Sequence, residues 1–285
     1  MALWKPSNQS ATLSGWYKAD AITGVSDGGA VASWVDSSGQ GNTLTQSTLG
    51  AMPSYETNEL NSLPVVRFDK TSPGDNVFNA DLGGDFEPGT GDFYIAMVTK
   101  FPSSGTQFVM TKANSGTQGL NVFISGSGLV VRPQTVGGTT NSLEQSSVVD
   151  SSFHTIVCRR VSSTLGSEYD GSAFTNDDGS KVNDGNMNND ASFNVSSSST
   201  GGLDANMDLA ETFIAVGTLN DEDLQRTSGY LSHKYGLASN LPATHSYKSF
   251  APAFGLHGVH NQDLIGELAL DVSGPLVSDT LAGAV

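Results

Sequence analysis

Turn residues return at regular intervals between short apolar runs along most of this chain, and this spacing limits the folds open to it. Residues 107–111, 120–124 and 129–132 are strand-like runs separated by glycine and serine pairs, with a turn roughly every ten residues. Residues 93–98 (FYIAMV) are apolar at almost every position, which predicts a central strand. The 33 glycines and a charged content of 15% disfavour long helices. The pattern predicts an all-β sandwich.

A hairpin is predicted after the strand at residues 153–160 (FHTIVCRR). Alternation places His154, Ile156 and Cys158 on one face of that strand. The sequence EYDG at residues 168–171 favours a tight turn, because Asp-Gly adopts the positive φ that such a turn needs. We therefore expect antiparallel pairing here. The single cysteine forms no disulfide within the chain and is predicted to be a small buried hydrophobic residue.

One short helix is predicted near residue 230. Asn220 is the expected N-cap, and three acidic residues follow it in the first turn, where the helix dipole favours negative charge. Leu224, Leu231 and Tyr235 share one face at helical spacing, and Gly236 is the expected end. We expect this helix to pack on an edge of the sandwich.

Polarity divides the chain into three parts. Residues 1–12 are polar and predict an N-terminal arm, residues 13–240 carry the strand and helix signals, and residues 241–285 predict a C-terminal arm or small appendage. Within the central part, residues 175–206 are rich in Asn, Asp and Ser and predict a long rim loop without core residues.

Two separated stretches resemble a known family. Residues 13–69 contain LSGWYKAD, GGAVASWVDSSGQGNTLTQ and SLPVVRFD, and residues 208–237 read DLAETFIAVGTLNDEDLQRTSGYLSHKYGL. They resemble the LamG-like, concanavalin A-like jelly-roll domains of phage and bacterial surface proteins. The matching positions are Trp16, Ala19, Asp20, Trp34, Asp36, Ser38, Gly39, Gly41, Asn42, Pro64, Val66, Phe68, Asp69, Glu211, Asp221, Glu222, Gly229, Tyr230, Leu231, Lys234, Tyr235 and Gly236. The resemblance implies an antiparallel jelly-roll sandwich with one short C-terminal helix and extended terminal arms.

Charge and the chain's start bear on partners and location. A net charge of −16 disfavours nucleic acid and anionic membranes, because phosphate contacts need Lys or Arg. The start, MALWKPSNQS, lacks a secretory signal pattern, and no stretch is long enough to span a membrane. A surface-type module without an export signal predicts a non-enzymatic phage virion structural protein, displayed on the capsid or a tail appendage. Such a protein assembles in the host cytoplasm, as a homo-oligomer and with other virion proteins.

Catalysis is not expected. Glycoside hydrolases of this fold class commonly set their carboxylates on one strand as E-x-D-x-E, and that pattern is missing from this sequence. Carboxylates brought together from different strands keep a hydrolase as a less favoured alternative.

The main alternative is a carbohydrate-binding module that recognises a host-surface glycan, with calcium as a possible aid. Sugar-binding residues are then expected on rim loops at the sandwich ends, and the candidates are Asn114, Asn121, Arg132 and Asn176.

A partial calcium motif lies in the polar segment. Asp184, Asn186 and Asn188 fit the first three ligand positions of a D-x-[DN]-x-[DN] loop. However, Asn189 stands where an EF-hand needs glycine, and Val195 stands where it needs a bidentate glutamate. A flexible Asn/Asp-rich loop without a metal is the favoured interpretation, and no cofactor is expected apart from calcium as the alternative at these residues.

Overall fold

The computed structural model of this chain describes residues 3–70, 76–114, 118–138, 141–173, 182–199 and 201–253. Trp4–Pro252 form one compact unit, which contains two antiparallel sheets. Leu3 and Ala253 belong to a second unit, in which they pair as an isolated antiparallel bridge.

The first sheet has nine strands. They are β1 (Thr12–Lys18), β2 (Gly29–Ala30), β5 (Ser54–Leu60), β6 (Leu63–Phe68), β8 (Phe93–Lys100), β13 (Phe153–Val161), β14 (Thr164–Tyr169), β15 (Ser172–Ala173) and β17 (Met207–Val216). Their spatial order is β15-β14-β13-β8-β17-β6-β5-β2, and β1 also pairs with β17. The run FYIAMV lies in β8, at the centre of this sheet, as predicted.

The second sheet has eight strands. They are β3 (Ser33–Trp34), β4 (Leu44–Thr45), β7 (Phe78–Ala80), β9 (Gln107–Asn114), β10 (Gln118–Ser125), β11 (Gly128–Gln134), β12 (Leu143–Gln145) and β16 (Phe193–Val195). Their order is β12-β11-β10-β9-β16-β7-β4-β3. Helix α1 spans Asp221–Lys234, and short 3-10 turns lie at Pro6–Asn8, Ala19–Ala21, Leu49–Ala51 and Gly83–Phe86. An all-β antiparallel sandwich with one short helix in its described part confirms the predicted fold class.

The main core lies between the sheets, and alternation along each strand decides which residues enter it. In β13, Ile156 and Cys158 face this core, whereas Val157 faces the other side of the sheet. Strands β13 and β14 pair antiparallel, and Asp170 and Gly171 both have positive φ in the turn that follows. The predicted hairpin and the buried cysteine are therefore confirmed.

Helix α1 covers the outer face of the nine-stranded sheet, so the predicted position at a sandwich edge is wrong. Leu224, Leu231 and Tyr235 pack with Tyr94 and Phe213 in a second core cluster. Strand β8 is apolar on both faces because one face meets the other sheet and the opposite face meets the helix.

The prediction that residues 175–206 form only a rim loop is also wrong. Phe193 and Val195 are buried in the main core. They are the first and last residues of β16, which occupies a central place in the eight-stranded sheet. A strand of three residues, with Asn194 at its middle, is too short to produce a periodic signal. Residues 174–181 and 200 of this segment lie outside the described residues.

Both ends of the larger unit pack on its surface. Trp4 is 2% exposed and lies 6.0 Å from the Tyr230 ring, and Leu241 is 2% exposed. The domain boundaries placed after residues 12 and 240 stay a prediction. In the described part of the chain, no helix has the length and hydropathy needed to cross a bilayer.

Candidate functional site

A row of polar side chains crosses the outer face of the eight-stranded sheet. Residues directly opposite each other in antiparallel strands share a face, so the strand register fixes their neighbours. Asn194 lies opposite Asn79 on one side and Thr111 on the other. Asn121 lies opposite Thr111 and Arg132. The polar row consists of Thr45, Asn79, Asn194, Thr111, Asn121 and Arg132.

The row runs from exposed amides to a buried hydroxyl. Asn79 is exposed and Asn194 is half-buried, while Asn121 is 7% exposed and donates from Nδ2 to Gln134 Oε1 at 2.7 Å. Thr111 is fully buried at the middle of the row, and its Oγ1 has no hydrogen-bond partner in the described structure. At 0% exposure this hydroxyl is closed to a ligand, so the exposed and half-buried amides of the row are the groups open to contact.

Aromatic rings lie beside the row on the same face. Phe123 stands opposite Phe108, and the two rings stack at 5.3 Å between centroids with 26° between their planes. The Arg132 guanidinium lies 4.9 Å from the Phe123 centroid. Phe108 is half-buried, so part of its ring is open to solvent.

These groups suit the recognition of sugars. Asn side chains donate and accept hydrogen bonds in one plane, as the paired hydroxyls of a sugar ring require. Aromatic rings provide a flat apolar surface for the C–H face of the sugar. The candidate site is therefore the polar row together with Phe108 and Phe123.

The sequence candidates for sugar binding fall in different places. Asn121 and Arg132 lie within β10 and β11 on the sheet face, so their expected position in rim loops is wrong. Asn114 ends β9 and is exposed at the rim, where it pairs in register with Gln118. Asn176 lies outside the described residues.

The residues of the partial calcium motif are largely engaged with backbone. Asn186 Oδ1 accepts from the Asn188 N–H at 2.9 Å, and Asn188 Oδ1 accepts from the Gly89 N–H at 2.5 Å. Asp184 is exposed, and its side chain lies beside Gly138. In the described residues, no group of three or more His, Cys, Asp or Glu side chains is arranged to hold a metal. Calcium binding here stays a prediction.

The family-like motif residues meet in one buried polar cluster that joins β1, β17 and α1. Glu211 is fully buried and accepts hydrogen bonds from Trp16 Nε1 at 2.6 Å and Tyr230 OH at 3.1 Å. Its other oxygen accepts from Tyr235 OH at 2.9 Å and Lys234 Nζ at 2.7 Å. Because the carboxylate is fully engaged, this cluster holds the fold together and is closed to a ligand.

The second motif segment forms a turn around Asp36. One carboxylate oxygen accepts from the Trp16 and Ser38 N–H groups at 2.9 and 2.8 Å. The other accepts from the Gly41 and Asn42 N–H groups, both at 3.0 Å. Both motif segments therefore act in folding, which leaves recognition to other residues.

A buried serine–histidine pair does not form a nucleophile. Ser228 Oγ lies 3.0 Å from His245 Nε2, and His245 Nδ1 accepts from the Tyr247 N–H at 3.1 Å. Burial and, to a smaller extent, the charges of His233 and Lys248 lower the pKa of His245 to about 4, so the ring is neutral near pH 7. With Nδ1 accepting, the ring proton is on Nε2 and points toward the serine. The histidine therefore cannot take the serine proton.

A second histidine is held between two carboxylates at the end of the nine-stranded sheet. His154 Nδ1 lies 2.6 Å from Asp170 Oδ2, and Nε2 lies 3.1 Å from both Asp150 oxygens. Burial favours the neutral ring, but the hydrogen bonds and charges of the two carboxylates outweigh it and raise the pKa of His154. The ring also stacks on Tyr169 at 4.4 Å.

A shallow groove of about 320 Å³ lies between residues 21–25 and 30–35. Its lining consists of Ala, Val, Ile, Thr and Ser side chains, without amides, charges or aromatic rings. It lacks the groups that hold a sugar, so the outer face of the eight-stranded sheet is the better candidate.

No protein-family model and no curated protein matches this chain. Solved structures do share its fold. The binding domain of Paraclostridial Mosquitocidal Protein 1 matches with a TM-score of 0.59 and 12% identity over 76% of this chain and 52% of that chain. The binding domain of botulinum neurotoxin serotype G matches with a TM-score of 0.57 and 12% identity over 80% and 51%. A botulinum neurotoxin type C structure, described as dependent on two ganglioside molecules for cell entry, matches with a TM-score of 0.53 and 10% identity over 74% and 49%.

This chain therefore spans about half the length of each of those binding domains. At 10–12% identity the likeness establishes a shared jelly-roll-like sandwich.

Proposed function

We propose that this chain is a non-catalytic binding module that recognises carbohydrate on the outer face of its eight-stranded sheet. The proposal rests on the polar row, which presents the exposed Asn79 and the half-buried Asn194 and Arg132 on the same face as the half-buried Phe108 ring. The ganglioside interaction described for the type C neurotoxin supports glycan recognition by proteins that contain this fold.

Alanine variants separate a site on the sheet face from a site on the rim. Asn79→Ala and Asn194→Ala remove amides from the row, whereas Asn114→Ala removes an amide from the rim. Asn240→Ala is the matched control, because Asn240 is exposed in the turns after α1. Each variant and the native chain are screened on a glycan array, and the glycans that bind are then measured by calorimetry.

The native chain is expected to bind a subset of glycans. Asn194→Ala should weaken that binding about 5- to 30-fold, which corresponds to about 1–2 kcal/mol for a lost hydrogen bond at a desolvated contact. Asn114→Ala and Asn240→Ala should bind as the native chain does. Loss in Asn114→Ala with native binding by the row variants would move the site to the rim. Absence of binding to any glycan would refute the proposal.

Calcium dependence is tested in the same screen with EDTA and with added calcium. If Asp184, Asn186 and Asn188 hold a calcium ion that orders the site, EDTA will abolish binding and Asp184→Asn will reproduce that loss. Unchanged binding in EDTA would remove calcium from the account.

We also propose that the module is displayed on a phage virion, on the capsid or a tail appendage, as an oligomer with other virion proteins. This proposal rests on the resemblance of residues 13–69 and 208–237 to the LamG-like domains of phage and bacterial surface proteins. Co-sedimentation of the protein with purified particles is expected. A protein that stays in the supernatant, and is monomeric by light scattering, would refute the virion role without affecting the test of glycan binding.

A further inference from the structure

The arginines of this chain differ in what their guanidinium groups bind. The sequence contains five. Arg67, Arg159 and Arg226 each form an ion pair with at least one carboxylate. Arg160 is fully buried and donates to backbone carbonyls and an amide oxygen. Arg132 is half-buried on the outer sheet face and, among the described residues, forms no ion pair.

Arg132 is nevertheless held in place. Its Nε donates to Ser142 Oγ at 3.0 Å, and its guanidinium lies over the Phe123 ring. These two contacts fix the plane of the group while its two terminal nitrogens remain without a hydrogen-bond partner in the described structure. An arginine fixed in this way has lost much of its side-chain entropy before a ligand arrives.

Among the described residues, one acidic side chain follows from the strand register as a neighbour of Arg132 on the same face. Glu144 lies opposite Val130 in the register of β11 and β12, on the same face as Arg132 and one pair along. The chain carries 29 acidic residues against 13 Lys and Arg, so acidic partners for an arginine are abundant. Arg132, half-buried at the end of the polar row and without an ion pair among the described residues, therefore differs from the carboxylate-paired Arg67, Arg159 and Arg226.

Building on the proposed glycan recognition, we infer that Arg132 is a specificity-determining residue that binds the carboxylate of an acidic sugar. The two terminal nitrogens form a fork that matches the two carboxylate oxygens, with bidentate N–H···O bonds. Asn121, its direct neighbour in the row, is 7% exposed and donates to Gln134, so the guanidinium is the group open to a ligand at this end of the row. The net charge of −16 opposes the approach of polyanions, so the expected ligand carries isolated carboxylates on a largely neutral glycan.

A pair of ligands that differ only in the carboxylate measures what that group contributes to binding. Oligosaccharides that contain a sugar acid are compared with their carboxyl-reduced counterparts, which differ only at that group. Calorimetry is done with the native chain, Arg132→Gln and Arg132→Lys, and urea denaturation shows whether each variant is folded. Asn79→Ala is the control, because it removes a row amide and leaves the guanidinium unchanged.

The native chain should bind the acidic glycan more tightly than its reduced form. Arg132→Gln should weaken acidic-glycan binding about 10- to 100-fold, the range for a charge-assisted contact, and change neutral-glycan binding less than about threefold. Arg132→Lys keeps the charge but loses the fork, so an intermediate loss is expected. Asn79→Ala should weaken both ligands by the same factor.

Equal binding of acidic and reduced glycans, unaffected by Arg132→Gln, would overturn the inference and leave the proposed function intact. Loss of both ligands by the same factor in a folded Arg132→Gln would also overturn it, because the residue would then serve binding in general. If the native chain binds no glycan of either kind, the proposed function and the inference both fail.

Discussion

Replacing the buried carboxylate of Glu211 tests whether the motif residues hold β1, β17 and α1 together. In Glu211→Gln, one of the two oxygens becomes an amide nitrogen, which cannot accept a hydrogen bond. Either Trp16 and Tyr230 or Lys234 and Tyr235 then lose their acceptor, whichever way the amide turns. The amide N–H groups then face the Trp16 indole N–H or the Lys234 ammonium, which cannot accept, and only a tyrosine hydroxyl oxygen can accept one of them.

The expected loss in the free energy of unfolding depends on which interactions Lys234 keeps after the substitution. Removing one member of a buried ion pair costs about 3–5 kcal/mol. Lys234 is partly exposed and keeps Asp20 at 3.0 Å, which places the loss at the lower end, about 3 kcal/mol. For a domain of this size, about 2–4 °C in Tm accompanies each kcal/mol, so Tm should fall by about 6–12 °C.

Urea denaturation followed by tryptophan fluorescence measures the free energy of unfolding of both proteins. Glu87→Gln is the matched control, because Glu87 is exposed and its loss should change stability by less than about 0.5 kcal/mol. A double-mutant cycle with Lys234→Met should show strong coupling to Glu211. A loss below about 1 kcal/mol in Glu211→Gln would refute the assignment of a structural role to this cluster.

Three further predictions concern titratable groups. Because the pKa of His154 is raised in the folded protein, the ion pairs of this residue stabilise the fold fully below about pH 6.5, the pKa of unfolded histidine, and this contribution is lost as the pH rises through the folded pKa. His154→Gln should therefore lower the free energy of unfolding more at about pH 5.5 than at about pH 8.5. Equal losses at the two pH values would contradict this. The pH dependence of His245 runs the other way, because burial lowers its pKa in the folded protein to about 4. Its contribution to the free energy of unfolding is full above about pH 6.5 and is lost as the pH falls toward 4. In the same urea titrations, His245→Gln should therefore cost more stability at neutral than at acidic pH. Burial raises the pKa of the Cys158 thiol to about 12. An aromatic disulfide reagent should therefore label Cys158 in urea but not in the folded protein near pH 8. Rapid labelling of the folded protein would show that the core around Cys158 opens.

Helix caps and tight turns are determined by residues that are close together in the sequence, so they can be predicted from local sequence patterns. The Asp223 N–H donates to Asn220 Oδ1 at 2.8 Å, and Gly236 has a φ of 69°, as the predicted cap and stop of α1 require. The Asp170–Gly171 turn follows from the same kind of local chemistry. Such features are settled within a few residues, so a single sequence is enough to find them.

Features that depend on distant pairing are not visible in the sequence. The polar row exists because β16 lies between β7 and β9, and nothing near Asn194 indicates that Asn79 and Thr111 will be its neighbours. Phe108 and Phe123 share a face only because a register irregularity shifts β9 against β10. The position of the helix, by contrast, could be inferred from the sequence. Strand β8 carries apolar residues on both faces, Tyr94 among them, so each face must pack against another layer.

Amide hydrogen exchange of the native chain, with and without the glycan it binds best, tests the central claim most directly. Slower exchange on ligand binding is expected in β10, β11 and β16, with unchanged exchange in the segment at residues 182–186, where exposed and buried residues alternate. Protection confined to that segment or to the rim near Asn114, with none in the three strands, would contradict a binding site on the outer sheet face.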